Sequence, residues 1–142
     1  ELEQGRTVVL PAVQGEQFPA FVSRLNEDLN EIAGIRLPEL AVPLATYTGW
    51  NLRHPERGNP NLFHGISGGL AGSTIPFPAT RKQRESSSDP RLSIEERYPS
   101  REDYLQRLRE SGKALVAEGY FLEEDIERIV QRTAKIWEAF TS

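Results

Sequence analysis

Along the last third of the chain, apolar residues recur at the three-and-four spacing of a helix with one buried face. Tyr104, Leu105, Leu108, Leu115 and Val116 form one such series. Ile126, Ile129, Val130, Thr133, Ile136, Trp137 and Phe140 form a second. Ser100 stands three residues before Asp103 and marks the first helix start, and Gly119 marks its end. Glu123, Glu124 and Asp125 suit the positive end of a second helix dipole. The short link Gly119-Tyr120-Phe121-Leu122 predicts an antiparallel αα-hairpin over residues 100–142.

The pattern before residue 38 is different. Thr7-Val8-Val9-Leu10 is a β-branched run, and Pro19 to Leu25 and Ile32 to Leu37 flank the turn-forming stretch Asn26-Glu27-Asp28-Leu29-Asn30. This spacing predicts a β-hairpin over residues 19–37. Phe21, Leu25, Leu29 and Ile32 also share one helical face, so a helix over residues 21–32 is the competing reading.

Residues 38–99 hold eight of the ten prolines and six of the eleven glycines. Proline removes a backbone donor and fixes φ, which excludes long helices and central strands here. Within this region residues 44–50 read as a strand, and Ser93 to Tyr98 as a short helix with Ser93 and Glu96 at capping-box spacing. The whole reads as an α+β fold in a single segment of 142 residues: strands and hairpin over 1–37, a Pro/Gly-rich wrap over 38–99 and the αα-hairpin over 100–142.

Composition narrows the function classes. With 17 Lys plus Arg against 21 Asp plus Glu, the net charge of -4 and the lack of a basic stripe argue against nucleic-acid binding. No apolar run is long enough to cross a membrane, and a soluble protein is expected, its compartment unassigned. Without cysteine there is no thiolate nucleophile or thiolate metal site, and the carboxylates show no ligand spacing, so neither metal nor cofactor is expected. The absence of methionine leads to the expectation that the chain is part of something longer.

Gly65-Ile66-Ser67-Gly68-Gly69 fits G-x-S-x-G, the pattern around the nucleophile of many serine hydrolases. That motif works at a strand-to-helix turn. Ser67 follows a turn-forming run and precedes Gly68, Gly69, Gly72, Pro76 and Pro78, so it reads as a serine in a glycine-rich loop. His64 and His54 are the only imidazoles available as a general base, without a sequence-defined nucleophile or orienting carboxylate. Asp89-Pro90-Arg91 reads as a turn, and Glu95, Glu96 and Glu123 to Asp125 as complements of helix dipoles. Tyr47, Trp50 and Asn51 end a strand beside the long loop. With His64 and Ser73 they are the candidate pocket residues, and no catalytic residue is assigned.

Four phrases carry a resemblance. They are Asn30 to Glu39 (NEIAGIRLPE), Val42 to Arg53 (VPLATYTGWNLR), Gly72 to Phe77 (GSTIPF) and Asp89 to Tyr98 (DPRLSIEERY). Together they resemble the C-terminal part of a poorly characterised bacterial family described as alpha/beta-hydrolase-domain proteins, from about Phe18 to the end of the second helix. The resemblance implies a serine hydrolase of esterase type whose nucleophile elbow, and with it the catalytic histidine, lies upstream. This chain would then supply scaffold and pocket wall, and its partner would be the remainder of the hydrolase or a second subunit. The family commonly has glycine where this chain has Leu29. The alternative is a non-enzymatic interaction module presenting Trp137 and Phe140, and a homo-oligomer fits either reading.

Overall fold

The computed structural model describes residues 21–51 and 72–142, together with Glu16, Pro19 and Glu56. Among them the chain forms an α+β fold of five helices and one two-stranded antiparallel sheet. The order is α1 (Pro38–Ala41), β1 (Ala45–Thr48), β2 (Ser73–Pro76), α2 (Arg81–Ser87), α3 (Ile94–Arg97), α4 (Arg101–Ala117) and α5 (Glu123–Thr141). The run Thr7 to Leu10 and the Ser67 loop lie outside the described residues.

The αα-hairpin forms as its periodicity predicts. Ser100 Oγ accepts the Asp103 N–H at the start of α4. At its far end Gly119 takes φ +80°, and the N–H groups of Gly119 and Tyr120 donate to the carbonyls of Val116 and Leu115. These two bonds make a Schellman stop, which satisfies carbonyls the helix leaves open. Gly112 lets α5 pack close against α4, since a Cβ there would lie 3.2 Å from Ile126 Cγ1. Buried Tyr104, Leu105 and Leu108 of α4 meet Ile126 and Val130 of α5, and Leu44, Phe77, Ile94 and Tyr98 complete the core.

In β1 and β2, Thr46 stands opposite Ile75 and Ala45 opposite Pro76. The described part of the Pro/Gly-rich region, residues 38–51 and 72–99, thus holds more regular structure than its composition indicates. β2 accommodates Pro76 because it is an exposed strand of a two-stranded sheet, where a missing N–H breaks no second ladder. Helix α2 was not expected. It buries no residue and so leaves no apolar period, yet its capping box is written in Thr80 and Gln83: Thr80 Oγ1 accepts from Gln83 N, and Gln83 Oε1 accepts from Thr80 N. The expected α3 box is also present, with Ser93 Oγ accepting from Glu96 N and Glu96 Oε2 accepting from Ser93 N.

The hairpin predicted over residues 19–37 is narrowed to its turn, a single bridge between Leu25 and Glu31. Two backbone bonds close it, Asn26 N to Asn30 O and Ile32 N to Arg24 O. Beyond them the ladder stops, and Gly34 at φ +77° leaves the extended conformation that a continuing strand needs, while inside the turn side chains take the local donors. Asn26 Oδ1 accepts from both Asp28 N and Asn30 N, and the Asn30 amide is turned toward β1. The competing helix over 21–32 does not form. Leu29 adopts φ +61°, the left-handed conformation that favours glycine, which is the residue type the family resemblance places there.

Candidate functional site

The most tightly organised polar cluster lies where the 26–30 turn, the sheet and the segment before α3 meet. It begins with Asn30, which is fully buried. Its Nδ2 donates to Ala45 O at 2.9 Å and its Oδ1 accepts from Tyr47 N at 2.7 Å. In a strand, the carbonyl of one residue and the N–H two residues on point to the same side. The carboxamide therefore occupies the outer edge of β1 as the peptide of a neighbouring strand would.

Thr46, between those two residues, faces the other way. Its hydroxyl donates to Asp28 O at 2.5 Å and accepts from Arg91 Nη1 at 2.9 Å. Arg91 continues the cluster. Nη1 also donates to Ile75 O at 3.0 Å, Nη2 to Pro76 O at 3.3 Å and to Asp89 Oδ2 at 2.6 Å, and Nε to Asp89 Oδ1 at 3.0 Å. All five guanidinium N–H groups are thus used within the chain. The hydrogen bonds from Arg91 hold the Asp89 carboxyl below its usual range. Arg97 pairs with the Asp28 carboxylate, through Nη1 to Oδ2 at 2.8 Å and a second bond from Nη2 to Oδ1, and its guanidinium stacks 4.1 Å from the Phe77 ring centre.

Just beyond this cluster, Glu96 accepts from the Ser93 hydroxyl and backbone and from Arg84, which together lower its carboxyl to about 2. Chemically the arrangement is a clamp. A guanidinium aimed at a developing oxyanion needs a free donor, and Arg91 directs every donor at protein oxygens. Among the described residues no group of three metal-ligating side chains comes together.

The pocket residues expected from sequence divide between two places. Tyr47 is half-buried and, with Ile35, Leu37, Glu39 and Leu40, lines an apolar groove of about 360 Å³; burial raises its phenol above the ordinary value. Trp50 and Ser73 meet instead at the open end of the sheet. The Trp50 carbonyl accepts from Thr48 Oγ1 at 2.5 Å and from Ser73 Oγ at 3.3 Å, while Ser73 N donates to Thr48 Oγ1 at 3.0 Å. Gly72 completes this neck, because a Cβ there would lie 1.8 Å from the Thr48 carbonyl oxygen. The Trp50 side chain is 45 % exposed, and Asn51 is exposed as well. His64, His54 and Ser67 lie outside the described residues.

Sequence reasoning did not single out Asp28, Asn30, Thr46 or Arg97, and it read Asp89-Pro90-Arg91 as a turn only. The turn is real, with Arg91 N donating to Asp89 Oδ1 at 2.9 Å. Its second role depends on a contact with Thr46, 45 positions away, which no local pattern announces. Trp137 packs inward, its ring 5.0 Å from that of Tyr104 and 6.0 Å from that of Tyr98, and Phe140 also packs against the core. No described helix is long and apolar enough to cross a membrane.

A family model described as alpha/beta hydrolase domain matches residues 7–131. No curated protein and no solved structure matches the chain.

Proposed function

This chain belongs to the alpha/beta hydrolase domain family, and from that premise we propose that it is the C-terminal segment or subunit of an esterase-type hydrolase, supplying scaffold and pocket wall but not the nucleophile. The observation that carries this reading is the Arg91 clamp. Its donors are all consumed in joining the sheet to the segment before α3, and the Thr46 hydroxyl that Arg91 bonds carries the link on to the 26–30 turn, which suits a part that holds geometry. Tyr47, which follows Thr46 in β1 and stands at the wall of an apolar groove, is the side chain offered to an ester's apolar portion. The nucleophile elbow belongs, in this reading, to the remainder of the hydrolase or to a second subunit.

The interaction-module alternative draws less support, since Trp137 and Phe140 are engaged with the chain's own core. The test is turnover of simple aryl esters by the isolated chain and by Ser67→Ala. The reading expects both to hydrolyse the ester at the buffer rate. Robust turnover that disappears in Ser67→Ala would overturn it, because the chemistry would then reside in this chain.

A further inference from the structure

We draw no further inference here: the strongest candidate, the apolar groove at Leu37 where α1, β1 and α5 meet, with Ile35, Leu40 and Tyr47 on one side and Phe121 and Ile129 on the other, has its nearby charges already paired with each other as Glu39 with Arg132 and Asp125 with Arg128, and nothing in the structure shows what covers it.

Discussion

Replacing Asn30 with aspartate changes one side-chain nitrogen to oxygen and leaves the shape of the residue intact. In the native chain the carboxamide is fully buried, donating to Ala45 O and accepting from Tyr47 N. An ionised aspartate can still accept from Tyr47 N, but it sets an anionic oxygen against the Ala45 carbonyl. An unsatisfied buried acceptor costs about 1–3 kcal/mol, and an unpaired buried charge about 3–5 kcal/mol. A working value for the ionised variant is about 4 kcal/mol, from the buried-charge range. At 1.36 kcal/mol per unit, that raises the folded-state carboxyl about three units, from about 3.9 to about 7.

The sign follows from that shift. When protonated, the introduced carboxyl donates its O–H to Ala45 O and reproduces both native bonds, so Asn30→Asp should be close to native stability near pH 4. As pH rises from about 4 toward about 7, its deficit relative to the native chain should grow by about 1.4 kcal/mol per unit. Urea unfolding at 25 °C followed by tryptophan fluorescence, with both proteins measured at each pH, gives this difference directly. Asn30→Ala is the control: it strands both backbone groups at every pH, and its deficit of about 2–4 kcal/mol should not slope. An Asn30→Asp deficit equal at pH 4.5 and pH 7 would refute the reasoning, because the substituted oxygen could not then face the Ala45 carbonyl.

Three further outcomes are expected. Tyr104 is fully buried and its hydroxyl has no hydrogen-bond partner among the described residues, so Tyr104→Phe should raise the urea midpoint by an amount equivalent to about 1 kcal/mol; a loss of that size would mean the hydroxyl is bonded in solution. Gly72→Ala should destabilise by about 1–3 kcal/mol, since its Cβ meets backbone that cannot swing aside, while Gly49→Ala, with nothing within 4 Å, should stay within about 0.5 kcal/mol; equal melting temperatures for the two variants would contradict the neck geometry. Glu96 has a folded-state carboxyl lowered from 4.5 to about 2, so the stability it contributes is present above about pH 4.5 and lost as pH falls toward 2. Glu96→Gln should therefore flatten the acid limb of the stability profile, and an unchanged slope between pH 4.5 and 2 would count against the assigned cap.

Legibility in the sequence tracked the range of the interaction. Helices α4 and α5 were readable because residues three and four apart must share a face, and α3 because Ser93 and Glu96 satisfy each other across a single turn. Strand β1 lies within residues 44–50, which read as a strand from sequence. Its partner β2 was obscured by Pro76, which is harmless only because the strand is exposed. Both the turn at residues 26–30 and paired strands around it were expected, but only the turn and one bridge form, because Gly34 takes a left-handed φ that interrupts the second strand. Among the candidate pocket residues, Tyr47 reached an apolar groove, whereas Trp50 and Ser73 serve the neck of the sheet.

By itself the amino-acid order determined the α+β character, the αα-hairpin and its caps, and a family likeness that the match over residues 7–131 bears out. Those features rest on spacing within one or two turns of backbone. Only the tertiary structure decided what Arg91 does. Its partners Ile75, Pro76 and Thr46 lie 16, 15 and 45 positions away, and a guanidinium in isolation is equally suited to bind a substrate anion or to hold a fold together. Which of the two it does depends on whether protein oxygens occupy its donors, and that is settled by how the sheet and the turn pack around it.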